Sequence, residues 1–237
     1  MSENKKSEEK TIIISQAHSI PRDKFPSAPE NIIEKEKQNK IIEKIQEGGI
    51  SLNDGRTFIQ DKSLPDILCT TKKNVNKFIN KQNDSDIYSS GEKEYVSTQA
   101  VKAEINKKIE EPRTTSERER LKYADLCLNV LRDNPDAEKQ RQINCENIQR
   151  QLPNQTKKLI KKRNIVNSEL TNTPMQNPEG HHIIDKATEP RLALEPDNII
   201  VIDREEHKLI HRRGAESKED LKKLADEENW DTSNLKF

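Results

Sequence analysis

Hydrophobic and polar positions along this chain change period several times, and each change predicts an element. From residue 31 to about 46, Ile32, Ile33, Ile41, Ile42 and Ile45 recur at helical spacing among charges, and Gly48-Gly49 would stop that helix. Residues 50–59 read as two short extended runs around Asn53-Asp54-Gly55, a tight-turn signal. Two short helices follow over 63–69 and 71–80, with Leu64, Ile67, Leu68, Val75, Phe78 and Ile79 as their apolar positions. Residues 87–96 predict a second small hairpin, and Ser97 then caps a helix with Val101, Ile105 and Ile109 on one face. Beyond the breaker Pro112, Ser116 and Glu119 fit a capping box for a helix whose apolar side runs from Leu121 to Leu131, and Asn134-Pro135 ends it. A sparser helix over 136–152 would close at Pro153. Residues 1–30, polar and broken by Pro21, Pro26 and Pro29, predict a mobile arm.

The C-terminal part has a different pattern. His181-His182-Ile183-Ile184 is an extended edge, and the loop after it contains Pro190 and Pro196. Asn198 opens the β-branched run Ile199-Ile200-Val201-Ile202, which favours a strand. Asp203 and Glu206 satisfy a helix-start pattern, and Gly214 can cap the helix end. The expected order is strand, loop, strand, helix.

Composition narrows the function classes. Ile, Leu, Val and Phe make up about 22% of the 237 residues at zero net charge, so small cores joined by charged connections are expected rather than uniform disorder. Neutrality argues against a uniformly basic nucleic-acid coat. Local basic patches remain: Lys157, Lys158, Lys161, Lys162 and Arg163 before the histidines, and Arg212-Arg213 after them, are suited to phosphate contact or form a solvated face. No run approaches a membrane span, and no secretion signal opens the chain, so a cytoplasmic protein is expected, or one secreted by a signal-independent route if it is a toxin. Cys69, Cys127 and Cys145 form no C-x-x-C pair and read as free thiols.

Four of the five histidines fall between positions 181 and 211. His207 and His211, four residues apart on a helix, project from one face and can close on a single ion. In a strand His181 and His182 would point to opposite sides, so an irregular strand end is expected if both serve one site. One imidazole would then join the metal while the other addresses a water.

Two resemblances follow from these residues. The order hairpin, helix, turn, helix, hairpin, helix over residues 50–110 is similar to the winged helix-turn-helix modules of excisionases and related regulators, with Lys72, Lys73, Asn74 and Asn76 placed to face DNA. The double histidine, the Asp-Asn-Ile run, the two helical histidines and the trailing His-Arg-Arg-Gly resemble the HNH, or ββα-metal, endonucleases, and within them the nuclease domains of colicin-type bacterial DNases. The second resemblance covers about 35 residues. It implies His181, His207 and His211 as metal ligands, His182 as the base that activates water, Asn198 as the residue tying the loop to the second strand, and Glu179 as an acidic site position.

The chain is therefore expected to be α+β and mostly helical. A mobile arm (1–30), a winged-helix-like region (31–110) and a helical segment (113–160) would precede an HNH-type nuclease domain (161–237) ending in a ββα-metal finger. The expected activity is metal-dependent hydrolysis of DNA phosphodiesters with one divalent ion, zinc, nickel or magnesium, in a delivered toxin with a neutralising immunity partner or in a phage or mobile-element nuclease. RNA is a second substrate class. The competing reading is a DNA-binding regulator whose histidine unit is a metal-stabilised, inactive module.

Overall fold

A computed structural model describes residues 11–215 and 217–230, and the chain divides into two compact units, Met1–Asn144 and Cys145–Phe237. The class is α+β and predominantly helical. Among the described residues no helix is long and apolar enough to cross a membrane.

Among its described residues the first unit contains one antiparallel sheet of five short strands, β1 (Ile13–Gln16), β2 (Gly49–Leu52), β3 (Thr57–Gln60), β4 (Ile87–Ser90) and β5 (Lys93–Ser97), in the order β1-β2-β3-β5-β4. Five helices, α1 (Lys35–Gly48), α2 (Leu64–Ile67), α3 (Lys72–Ile79), α4 (Thr98–Glu110) and α5 (Thr115–Arg132), accompany it. Adjacent strand residues point to opposite faces, so Ile59 and Val96 join the helical core with Ile41, Ile45, Ile105 and Leu128, while Phe58 and Tyr95 pack with Ile50 and Leu52. The inner strands therefore bury apolar residues on both faces, whereas β4 ends in exposed Ser89 and Ser90. The turn between β2 and β3 uses Gly55 at φ +79°, and a Cβ there would press on the backbone of Ala137 and Arg141. The second expected hairpin is present, but it is not a separate wing: β5 pairs with β3.

The mobile arm is a correction. Residues 1–10 lie outside the described part, whereas β1 pairs with β2, Ala17 is 1% exposed and Phe25 is buried. The Tyr123 hydroxyl donates to the Pro26 carbonyl at 2.7 Å, and the Gln38 amide holds both the N–H and the C=O of Ala28. The prolines shape an extended path, and Ala17 and Phe25, isolated in sequence, find partners only in the folded core. Helix α5 also starts earlier than expected: Thr114 and Glu117 form the capping box, not Ser116 and Glu119. Both pairs have the required spacing, and the helix extends back to the first one after Pro112.

Pro153 does not end a helix. α6 runs from Pro135 to Arg163 across the boundary between the units, with Pro153 inside it. An internal proline costs about 3 kcal/mol. Contacts beyond it offset that cost: Leu159 is buried with Ile199 and Val201, and the Gln155 amide donates to the Leu194 carbonyl at 2.9 Å.

The second unit is built on the antiparallel pair β6 (Pro178–His182) and β7 (Ile199–Asp203), followed by α7 (Arg204–Arg213) and α8 (Lys218–Glu227). Ile200 and Ile202 pack with Leu170, Ile210, Leu221 and Leu224 on one face of β7, and Ile199 and Val201 pack with Leu159 on the other. Burial on both faces accounts for its unbroken β-branched run. The sequence reading placed no helix at α8.

Candidate metal centre

Local chemistry sets α7 at one angle. Asp203 caps it, Glu206 completes the capping box, and Gly214 at φ +63° ends it. The Asp203 carboxylate also accepts the N–H groups of Gln176 and Asn177 at 2.8 and 2.9 Å, and these backbone bonds hold its pKa below the usual range. Glu206 reaches the Ser168 hydroxyl at 2.6 Å. Ile210 is fully buried, so rotation of the helix about its axis is restricted.

This places His207 and His211 against His181 on β6. The three rings have centroids 4.6 to 5.7 Å apart, and one ligand atom from each lies within 4.8 Å of the others. Two imidazole nitrogens on a tetrahedral ion are separated by roughly 3.4 Å, given metal–nitrogen bonds of about 2.1 Å. The His207 and His211 Nε2 atoms are 3.0 Å apart, close to that separation. His181 is 6% exposed, and burial, with the neighbouring His207 and His211, pushes its pKa down to about 3. It is a neutral imidazole at ordinary pH, the form that binds a metal.

Glu179, two residues before His181 on β6, accepts from His207 Nδ1 at 2.7 Å through Oε2 and from Arg204 Nε at 2.7 Å through Oε1. The bond from His207, then that from Arg204, keeps its carboxyl below the usual range. An ionised carboxylate on Nδ1 fixes the His207 tautomer and leaves Nε2 free for an ion. Arg204 was not singled out in the sequence; its position three residues before His207, on the same helical face, was the available signal.

His182 lies apart from this trio. Its ring Nε2 donates to the Ala193 carbonyl at 2.9 Å, which leaves Nδ1 with the lone pair. The strand is regular through the His182–Ile199 pair, so the expected irregularity is absent. His181 and His182 nevertheless both line one cavity of about 470 Å³, with His207, His211, Lys186 and Thr156. Close approach of α6 is part of this arrangement: a Cβ at Gly180 would meet Thr156 Oγ1 at 2.5 Å.

Asn198 sits in the turn just before β7, not on it, and is 7% exposed. Its Oδ1 accepts the Ile184 N–H at 2.8 Å, and its Nδ2 donates to the carbonyls of Ile184 and Leu192 at 3.0 and 3.1 Å. It therefore clamps the loop whose next carbonyl, that of Ala193, holds His182. Asn198→Ala is expected to lower the stability of the second unit by about 2–3 kcal/mol, because the Ile184 N–H and two carbonyls lose their partner. Urea unfolding checks this, and a change under about 0.5 kcal/mol, the level of an ordinary surface substitution, would refute the clamp.

The expected phosphate contacts divide. Lys161, Lys162 and Arg212 are exposed. Arg163 is not available: it pairs with Glu169 at 3.0 Å and donates to the carbonyls of Ile199 and Pro196, fixing the end of α6 to β7. Arg213 pairs with Glu228 at 3.1 Å and Glu227 at 3.8 Å, which ties α7 to α8. The fold thus brings a carboxylate and two carbonyls onto Arg163 and two carboxylates onto Arg213. Comparison with protein-family models, with curated proteins and with solved structures finds no match.

Proposed function

We propose that the second unit is a metal-dependent endonuclease of the HNH, or ββα-metal, kind, which hydrolyses the phosphodiester bonds of DNA. The observation that carries this reading is the division of the four histidines around one cavity: three bring ligand atoms within 4.8 Å of one another, while the fourth, held through Nε2 by the Ala193 carbonyl, lines the same space. His181, His207 and His211 would hold one divalent ion, and an all-imidazole donor set suits zinc or nickel. When bound, the ion supplies stabilisation of the charge that develops on the phosphate and the leaving 3′ oxygen. His182 Nδ1 takes the proton of the water that attacks phosphorus, and the bond from Nε2 to Ala193 makes Nδ1 the accepting nitrogen of the neutral ring. Glu179 orients His207, Arg204 keeps Glu179 ionised, and Asn198 holds the loop that positions His182. The products are a 5′ phosphate and a 3′ hydroxyl.

Supercoiled plasmid incubated with the full chain and added zinc, nickel or magnesium should be nicked, then linearised, and a chelator should abolish cleavage. No cleavage with any of these metals, on plasmid or on structured RNA, would remove the enzyme reading. Glu179→Gln tests the support of His207. Metal affinity should fall about 10- to 100-fold with the fold retained, because an amide orients the imidazole but no longer raises its basicity. Unchanged affinity in a competition titration with a metal indicator would show that Glu179 does not act on the centre.

A further inference from the structure

Several lysines of the first unit are paired: Lys40 with Asp66, Lys44 with Glu47, Lys102 with Asp125 and Lys122 with Glu119. Lys72, Lys73, Lys77, Lys81 and Lys107 have no acidic partner among the described residues, and all five lie on α3, the turn after it, or α4. Lys77, Lys81, Lys107 and Lys108 line one groove of about 360 Å³, in which Glu104 is the one acidic lining residue. Lys108 is 8% exposed, with its ammonium 3.5 Å from Glu104, so that carboxylate is already shared with a largely buried cation. The other ammoniums are left unbalanced.

Helix α3 adds to the imbalance. Lys72 and Lys73 stand in its first turn with no acid there, against the helix dipole. Lys77 and Lys107 stand in the last turns of α3 and α4, where the helix dipoles favour them, but none of the five has a carboxylate partner among the described residues, and an anion in the groove relieves their mutual repulsion. Lysines four apart on a helix repeat every ~6 Å, which suits a polymer of regularly spaced charges better than one compact anion. Amides accompany them: Asn74 and Gln82 line the groove and Asn76 is exposed, side chains that bond sugar and phosphate oxygens. A protein partner would need apolar anchors, and none of the exposed large hydrophobic residues belongs to α3 or α4.

We propose that the groove between α3 and α4 docks the phosphodiester backbone of a nucleic acid, with Lys77, Lys81 and Lys107 on phosphates and Lys72 and Lys73 extending the path. This docking face is independent of the catalytic reading of the histidine site, because binding needs no metal.

The test uses the full chain, a chelator and a short fluorescent DNA duplex of mixed sequence. The exposed-lysine variant Lys77→Gln/Lys81→Gln/Lys107→Gln should bind at least about 10-fold more weakly than wild type at low salt. The slope of log affinity against log salt should fall by about 2–3, near 0.9 per lost phosphate contact. A control of equal net charge, Lys35→Gln/Lys122→Gln/Lys139→Gln, should stay close to wild type. Equal weakening by both triples would reduce the effect to net charge and overturn the groove. So would an unchanged affinity in the first triple, or loss of binding to phosphatidylserine vesicles with DNA binding intact. The plasmid assay judges the nuclease reading separately.

Discussion

His182→Ala is expected to cut plasmid DNA about 10²- to 10⁴-fold more slowly than wild type at saturating metal, the usual contribution of a positioned general base, with metal affinity left within a few-fold. The expectation rests on the separation of His182 from the three convergent rings. Its Nε2 is occupied by the Ala193 carbonyl, so it has one nitrogen to offer, and that nitrogen belongs to a residue lining the cavity. Removing the ring deletes a proton acceptor without removing a ligand. Time courses of nicking at several metal concentrations separate the two effects: a lost base lowers the plateau rate, whereas a lost ligand shifts the metal concentration needed. Wild-type plateau rates in the variant would assign the base elsewhere. If wild type itself does not cut and yet binds DNA, the alternative of a metal-stabilised binding module gains.

The parts of the site that were legible in the sequence are those set by local chemistry. Asp203, Glu206 and Gly214 mark both ends of α7 by residue type, and the four-residue spacing of His207 and His211 follows once that helix exists. The β-branched run of β7 is equally plain because both of its faces are buried. What escaped depended on distant partners. Ala17 and Phe25 anchor the supposed arm through contacts with residues well separated in sequence, and Pro153 is held inside α6 by packing beyond it. Arg163 and Arg213 have the composition of phosphate contacts, but Glu169 and Glu228, six and fifteen residues away, occupy them. Asn198 was read in a positioning role, and its bonds reach the backbone on both sides of His182's surroundings: at Ile183 and Ile184, just after His182, and at Leu192, next to the Ala193 carbonyl that His182 meets. The lysines of α3 were visible as charges, but the groove they share with α4 needs the tertiary fold.

His207→Ala should weaken metal binding about 10²-fold, and with it cleavage at metal concentrations that saturate wild type, the opposite pattern to His182→Ala. His207 is the central member of the trio: its Nε2 lies 3.0 Å from that of His211, its ring centroid 5.3 Å from that of His181, and its Nδ1 is the atom Glu179 holds. Structural zinc sites bind with about 10–16 kcal/mol over four ligands, so one ligand is worth about 3 kcal/mol, or roughly 10²-fold in affinity. Stability gives a readout that does not depend on activity. Metal at about 100 times its dissociation constant stabilises the folded state by about 2.7 kcal/mol. In a unit of this size that raises the melting temperature by about 10–20 °C. Wild type and His182→Ala should both show the rise, while His207→Ala at the same metal concentration should show almost none. A full metal-dependent rise in His207→Ala would mean that the ion, if one binds, is held by other residues, and the assignment of His181, His207 and His211 as its ligands would fall.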